Sequence, residues 1–465
     1  ALVWAQNKLH GLNASGPAPR GISPEQLRQQ GYSHMPKHGW IPVNVPGVPA
    51  AWAALSERFG QLPLTAVLEP AVRYAEEGYP VSPVVAHNWQ KAFRQYSQSL
   101  KGEAYRPWFD TFTLDGRPPH AGEMWRSEAM ARTLAMIAET KGEAFYRGEL
   151  AERIDHFSRE HGGFLRAGDL AAYRPEWVAP LSVTYRGYQV WELPPNGQGL
   201  VVLMALNILK GFQFETRDSA DTLHKQIEAM KLAFADGLKH ITQREWMRVS
   251  PEALLSEDYA RQRRNLIGHA ARLPEAGQPP QGGTVYLAAA DGEGNMISYI
   301  QSNYMGFGSG IVIPDTGIAL HNRGHTFSLD PGHVNALAPG KKTYHTIIPG
   351  FLTKDGQPVG PFGVMGAFMQ PQGHLQVLMN TIDFCLNPQA ALDAPRWQWK
   401  EKNVVEVEPG FPDHLAQALE RRGHQVVRAV DANSFGRGQI IWRHPDTGVL
   451  VGGTEPRADG QIAAW

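Results

Sequence analysis

Apolar residues recur at helical spacing in the first half of the chain and at strand spacing in the second. Alternating residues over 181–193 predict two strands joined at Arg186-Gly187. The opening residues 1–4 have a strand pattern from the first position, so we expect further sequence upstream. Helical periodicity predicts helices over 50–59, 64–78, 127–141, 200–209 and 222–236.

The sequence pattern changes near Pro274. Residues 273–283 are mostly turn formers, and Thr284–Ala290 then has the pattern of a buried strand, with a tight turn and a returning strand over 295–301. This arrangement is typical of a surface linker between two domains, and it would also suit a cut that leaves a new N-terminus at a strand tip. Further strands are predicted over 311–313, 347–352, 404–407 and 439–442, and helices over 372–385 and 412–422.

Composition restricts the class of protein. The chain has 465 residues, of which 42% are hydrophobic and 19% charged, so it can bury a core, and disorder is disfavoured. Its length admits two subunit-sized halves or one large layered fold. With 44 Lys and Arg against 45 Asp and Glu, the net charge of −1 offers no basic surface for nucleic acid. No segment approaches the ~20 apolar residues of a membrane span.

The chain has a single cysteine, Cys385, which excludes an intrachain disulfide. It falls in the apolar run 378–386, which predicts a buried side chain. His321 and His325 are four residues apart but flank a turn-forming stretch, and there is no HExxH motif. We therefore predict no metal and no cofactor. One cysteine suits the cytoplasm and is compatible with the periplasm or secretion.

Particular residues match a known family in chain order. They include Val45-Pro46-Gly47, Glu228 to Asp236, Gly283-Thr284, Asp291 with Gly294-Asn295, Phe307 to Gly310, and Thr454 to Arg457. On these motifs the chain resembles the gamma-glutamyltransferase family, and more closely its divergent acylase-like branch.

The resemblance implies an α+β fold, the four-layer α/β/β/α sandwich of the N-terminal-nucleophile (Ntn) hydrolases. It further implies a precursor that cuts itself before Thr284. Residues 1–283 would form the large-subunit portion, with the family's N-terminal part missing, and residues 284–465 the small subunit. The two would stay together, and a homo-oligomer is compatible with the sequence.

The resemblance also assigns the chemistry. The hydroxyl of Thr284 attacks the carbonyl of Gly283, where the lack of a Cβ leaves the carbonyl accessible. The freed α-amino group, with a pKa near 8, then serves as general base for the same hydroxyl. By position, Ser302 supplies a second hydroxyl that binds the nucleophile. The oxyanion donors fall on the backbone amides of Met369 and Gln370, where the family has paired glycines.

The substrate pocket departs from the family. Contacts to the α-carboxylate of a γ-glutamyl group fall on Ser15, His345 and Thr346, and contacts to its ammonium on Tyr304, Arg323 and Thr326. Arg323 beside an ammonium would cost about 3–4 kcal/mol at an effective dielectric constant near 20. A small-molecule amide whose acyl group has a carboxylate and no ammonium, such as a glutaryl group, fits Arg323, Tyr304 and His345 better.

Three functions follow. The first is an Ntn acylase or amidohydrolase for such N-acyl compounds, acting through an acyl-enzyme. The second is a true gamma-glutamyl transferase or hydrolase of glutathione-like substrates, for which Arg323 would have to point away and pair with a surface carboxylate. The third is a catalytically silent Ntn-fold binding protein. Thr284-Val285-Tyr286 departs from the family's Thr-Thr-His, so processing could be slow.

Overall fold

The computed structural model describes residues 1–273 and 283–465, so most of the predicted linker, 274–282, lies outside the described residues. The helices of the first half are α1 (Pro24–Gln29), α2 (Val48–Phe59), α3 (Leu64–Glu77), α4 (Pro83–Ser99), α5 (Arg106–Phe112), α6 (Glu128–Glu139), α7 (Glu143–Arg147), α8 (Glu149–Glu160) and α9 (Ala167–Ala172). They continue with α10 (Gly199–Leu209), α11 (Ala220–His240), α12 (Pro251–Leu254), α13 (Glu257–Arg264), α14 (Met369–Ile382), α15 (Pro388–Asp393) and α16 (Asp413–Arg421).

The strands follow the same chain order. They are β1 (Leu2–Ala5), β2 (Lys8–Asn13), β3 (Tyr79–Pro80), β4 (Met124–Trp125), β5 (Glu176–Val178), β6 (Leu181–Tyr185), β7 (Tyr188–Glu192), β8 (Gly283–Ala290), β9 (Met296–Tyr304), β10 (Gly350–Lys354), β11 (Gln357–Met365), β12 (Trp397–Glu401), β13 (Val404–Val407), β14 (Gln425–Arg428), β15 (Arg437–Arg443) and β16 (Leu450–Thr454).

The chain forms two compact units. Unit 1 comprises residues 1–11, 177–301 and 344–465, and unit 2 comprises residues 12–176 and 302–343. Both portions of the predicted precursor therefore contribute to each unit. The larger sheets are ordered β5-β2-β1-β9-β8 and β16-β15-β11-β10-β7-β6. We call them the first and the second sheet.

Two sheets pack face to face in unit 1. Strand β8 of the first sheet packs against β11 and β15 of the second, and Trp4 stacks on Phe351 with ring centroids 6.1 Å apart. Helix α14 packs on β11, and α10 packs on β6 and β7. A Cβ on Gly373 of α14 would lie only 2.6 Å from Val364, so this glycine permits the close helix approach.

Unit 2 is mainly helical. Its largest helix pair is α3 with α6, and aromatic rings fill one of its cores. Trp108 is fully buried and packs edge-on against Tyr96 and Phe307, with centroids 4.9 and 5.3 Å away. Such edge-to-face pairs add stability beyond the area that they bury.

Most predicted elements are confirmed within a few residues, but two expectations are wrong. Residues 311–313 form no strand, only a bridge from Val312 to Ala319. Cys385 is exposed, because α14 ends at Ile382 and Cys385 sits in the turn beyond it with φ of 55°. No helix among the described residues is long and apolar enough to cross a membrane.

Candidate active site

Strand β8 places Thr284 on an inward-facing position. Thr284 and Tyr286 are each 8% exposed, whereas Val285 and Leu287 are 58% and 43% exposed. Because side chains alternate along a strand, Thr284 and Tyr286 share the face that packs on the second sheet. Tyr286 forms a small apolar cluster with Ile300 and Met365. The nucleophile predicted from sequence is therefore on the buried face of its strand.

Tyr286, a departure from the family motif, has a structural role. Its hydroxyl lies 2.9 Å from Oγ of Ser298, and that Oγ donates to the carbonyl of Phe362 over 3.4 Å. Its ring fills the space beside Gly363, where a Cβ would approach within 2.4 Å. Burial raises the pKa of Tyr286, so the phenol stays neutral and holds β8, β9 and β11 together.

Ser302 lies on β9, on the face that also carries Ser298 and Ile300 by strand alternation. Its Oγ accepts a hydrogen bond from the amide of Tyr304 over 2.8 Å. Ser302 belongs to unit 2 and Thr284 to unit 1. The expected bond between their hydroxyls stays a prediction.

The predicted oxyanion amides lie at the start of α14, and both already donate hydrogen bonds. The amide of Met369 donates to the carbonyl of Gly366 over 2.9 Å, and that of Gln370 to the carbonyl of Ala367 over 3.2 Å. The peptides just before them are unusual, because Gly366 has φ of 141° and Ala367, a non-glycine residue, has φ of 51°. Residues held in such conformations cluster at functional sites.

Gln198, which the sequence analysis did not single out, fixes this turn. It is fully buried, and its side-chain amide donates to the carbonyls of Thr346 and Ala367 over 2.7 and 2.8 Å. Its Oε1 accepts from the hydroxyl of Tyr344 over 3.1 Å. The sequence signal that could have identified Gln198 is its polar side chain within the turn-rich stretch 194–199.

Residues of the stretch 194–199 also fix the backbone of His345. The amide of His345 donates to the carbonyl of Asn196, and its carbonyl accepts from the amide of Gln198, both over 2.9 Å. His345 is 8% exposed and Thr346 fully buried. Two of the three predicted carboxylate contacts, His345 and Thr346, are therefore fixed through their backbones.

Tyr304 and Arg323 lie together in unit 2. The guanidinium of Arg323 lies over the Tyr304 ring, 4.7 Å from its centroid. Arg323 is 3% exposed, and burial lowers its pKa to about 9. The hydroxyl of Tyr304 has no hydrogen-bond partner among the described residues. An exposed fraction of 3% disagrees with the alternative in which Arg323 points away and pairs with a surface carboxylate.

The backbone around Arg323 is built by its own short helical turn, 323–326. The Arg323 amide donates to Nδ1 of His321 over 3.1 Å, and its carbonyl accepts from the Thr326 hydroxyl over 2.8 Å. Burial, with Arg323 nearby, lowers the pKa of His321 to about 3. The imidazole beside the guanidinium is thus neutral, and its lone pair accepts from the Arg323 amide.

One further buried pair joins α14 to β7. His374 on α14 bonds Glu192 on β7, Nδ1 to Oε1, over 2.8 Å, and both side chains are 0% exposed. Burial raises the pKa of Glu192 and lowers that of His374 to about 3. Both groups are therefore held in their neutral forms.

Within the described part of the chain, one set of side chains has the composition of a metal site. Ligand atoms of His224, Glu228 and His424 lie within 4.8 Å of one another, all buried. The ammonium of Lys231 lies 2.6 Å from Oε1 of Glu228. A cation already neutralises that carboxylate, so we assign these residues to an ion-pair network.

Comparison with known proteins decides the family. The sequence model of the gamma-glutamyltranspeptidase family matches residues 1–465. The chain belongs to this family. A crystal structure of cephalosporin acylase from Bacillus halodurans superimposes with a TM-score of 0.97 at 63% identity, covering 100% of this chain and 86% of that one.

Curated relatives agree with this assignment. The glutathione hydrolase-like YwrD proenzyme of Bacillus subtilis is 36% identical over 96% of this chain and 85% of its own length. An acylase ACY 1 proenzyme of Pseudomonas sp. strain SE83 is 33% identical over 91% of this chain and 75% of its own length. This chain is therefore an autoprocessed Ntn amidohydrolase or acylase. The predicted fold class is also confirmed.

Proposed function

We propose that this family member hydrolyses amides whose acyl group ends in a carboxylate and carries no ammonium, with Thr284 as the nucleophile. The observation that carries the substrate class is the buried guanidinium of Arg323 on the face of Tyr304. A desolvated guanidinium gains most from an anion that offers two oxygens in one plane. The same group repels the ammonium of a γ-glutamyl donor.

Self-cleavage comes first. Oγ of Thr284 attacks the carbonyl carbon of Gly283, the peptide nitrogen leaves as the α-amino group of Thr284, and water hydrolyses the resulting ester. The new chains are 1–283 and 284–465. The names of the curated relatives describe proenzymes, which supports a precursor that becomes two subunits.

Turnover then uses the new N-terminus. The α-amino group of Thr284 takes the proton from Oγ as that oxygen attacks the substrate amide, and returns it to the departing amine. Water then attacks the acyl ester and releases the carboxylic acid. This sequence needs a free threonine amine with its hydroxyl, and no metal.

The tetrahedral intermediates require donors for their oxyanion. We assign this role to the start of α14, where Met369 and Gln370 were expected to supply their amides. Both amides already donate to carbonyls in the turn, so they would have to share their hydrogens with the oxyanion. The peptides of Gly366 and Ala367 are the next candidates for oxyanion donors. Gln198 fixes them by donating to the Ala367 carbonyl. Ser302 is proposed to bind the nucleophilic hydroxyl.

The test compares two substrates that differ only in the ammonium. Purified protein is given glutaryl-anilide and γ-glutamyl-anilide, and aniline release is followed. We expect a higher kcat/KM for the glutaryl compound, and a higher value for γ-glutamyl-anilide would overturn the substrate class. Thr284→Ala is the control: it should leave an uncut 465-residue chain with no turnover. A wild-type chain that stays whole and inactive would support a silent scaffold. A cytoplasmic location remains a prediction.

A further inference from the structure

An irregular segment, residues 268–272, follows α13 and precedes the predicted cut site. It has no regular secondary structure, and most of its side chains are exposed. Its backbone is nevertheless held by side chains from the interior of unit 1. We call 268–272 the anchored segment.

Helix α11 supplies the main contacts to the anchored segment. Nε2 of His224 bonds the carbonyl of Gly268 over 2.9 Å. Oε2 of Glu228 accepts from the amide of Arg272 over 3.1 Å, and Nζ of Lys231 donates to the carbonyl of Arg272. The side chains of His224, Glu228 and Lys231 are 0–2% exposed. Two buried charged groups and a buried imidazole therefore bind the backbone of an exposed segment.

The remaining contacts complete the network. Lys231 also donates to Oδ1 of Asn403 over 3.0 Å, and Nδ1 of His224 lies 2.8 Å from Nε2 of His424. The amide of Ala271 donates to the carbonyl of Arg422 over 2.6 Å. Helix α11 and the carbonyl of Arg422 therefore hold three residues of the anchored segment, Gly268, Ala271 and Arg272.

We propose that this network is a positioning device for self-cleavage: Glu228 and Lys231 fix Arg272, His224 fixes Gly268, and together they set where the chain begins its approach to Gly283. This inference rests on the proposed cut before Thr284. Gly283 lies eleven positions after Arg272 in the sequence.

The anchor sets the direction in which the chain leaves Arg272, because both its amide and its carbonyl are bound. We expect the loss of that direction to slow processing more than threefold.

The test variant removes both charges together, as Glu228→Gln with Lys231→Met. Replacing a buried ion pair as a unit avoids leaving one uncompensated buried charge, the costlier change. The matched control is Asp383→Asn, which removes a buried carboxylate bonded to Tyr185 and Arg186 rather than to the anchored segment. Processing of purified precursor is followed by gel below the melting temperature of both variants.

A cleavage rate more than threefold below that of the control supports the proposal, and a rate within threefold overturns it. Once fully cut, the double variant should turn over glutaryl-anilide within twofold of wild type. A merely structural role predicts instead that turnover and cleavage fall together, and that result also overturns the proposal. If wild-type protein never splits, the proposed self-cleavage has failed, which is a separate outcome.

A second measurement does not depend on processing. In the uncut Thr284→Ala background, trypsin can cut after Arg272, whose carbonyl Lys231 binds. We expect the double variant to be nicked there more than threefold faster than the control. Equal nicking would show that no anchor exists. Faster nicking with unchanged processing would show an anchor that does not position the cut, and would equally overturn the proposal.

Discussion

Lys231 and Arg323 are both buried cations, 1% and 3% exposed, but their surroundings differ. Lys231 donates to three oxygens, those of Glu228, Arg272 and Asn403. Arg323 lies on an aromatic face. Burial lowers the pKa of both side chains, while Glu228 counteracts the shift only for Lys231. A cation bound to backbone and side-chain oxygens holds the chain in place, whereas a buried guanidinium on an aromatic face is suited to an anionic ligand.

The largest expected effect is on the free energy of unfolding, and it distinguishes Lys231 from Arg323. Lys231→Met in the uncut Thr284→Ala background leaves the Glu228 carboxylate buried without its partner, and should lower the free energy of unfolding by about 3–5 kcal/mol. Adding Glu228→Gln should recover most of that loss. Urea unfolding measures both changes. A loss below about 1 kcal/mol for the single variant would put Lys231 in the same class as an exposed cation.

Arg323→Met should act on the substrate instead. Loss of a charged hydrogen bond worth about 1.5–3 kcal/mol lowers kcat/KM for glutaryl-anilide about 10- to 150-fold, mostly through KM. Arg323→Lys keeps the charge without the planar fork and should recover only part of the loss. Turnover of γ-glutamyl-anilide should not fall. Equal losses on both anilides would contradict the assignment of Arg323 to a carboxylate.

A third buried group, His374, sharpens the comparison because it is kept neutral. Its pKa of about 3 lies below the usual 6.5, so between these values the His374 imidazole is protonated in the unfolded chain and neutral in the folded one. Its contribution to stability is present above pH 6.5 and is lost as pH falls, by about 1.4 kcal/mol per pH unit. His374→Gln should flatten the unfolding free energy against pH by that slope. An unchanged slope would show that the imidazole is charged when folded.

The smallest effect concerns Tyr304. Its buried hydroxyl has no partner among the described residues, so Tyr304→Phe should leave the free energy of unfolding unchanged or raise it by up to about 1 kcal/mol. If the hydroxyl donates to the substrate carboxylate, KM for glutaryl-anilide should rise several-fold in the same variant. A destabilised variant with unchanged KM would remove Tyr304 from the proposed pocket.

Elements with strong periodicity were predictable from the sequence. The apolar run 284–290 predicted strand β8 but not the inward position of Thr284, because the apolar Val285 and Leu287 lie on the exposed face. Strand β10 begins at Gly350 rather than at 347, since Pro349 cannot donate to a ladder. Cys385 was misplaced because an apolar run does not reveal that the helix ends before it.

The site was predictable in part. Family matches named the residues, but the contacts of Gln198 depend on backbone carbonyls far apart in the sequence, which no local pattern encodes. Likewise, the sequence shows that Arg323 replaces an expected acceptor, but its burial against Tyr304 is a tertiary property. The roles of Ser302, Met369 and Gln370 remain predictions.

The second sheet is built from both portions of the precursor. Its strands β6 and β7 come from before the predicted cut, and β10, β11, β15 and β16 come from after it, with β7 hydrogen-bonded directly to β10. The chains 1–283 and 284–465 cannot separate without breaking the hydrogen bonds between β7 and β10. The cut therefore alters connectivity while the architecture persists, and each half expressed alone would lack partners for its edge strand. Co-expression of 1–283 with 284–465 tests whether the shared sheet can assemble from two separate chains or requires one continuous backbone.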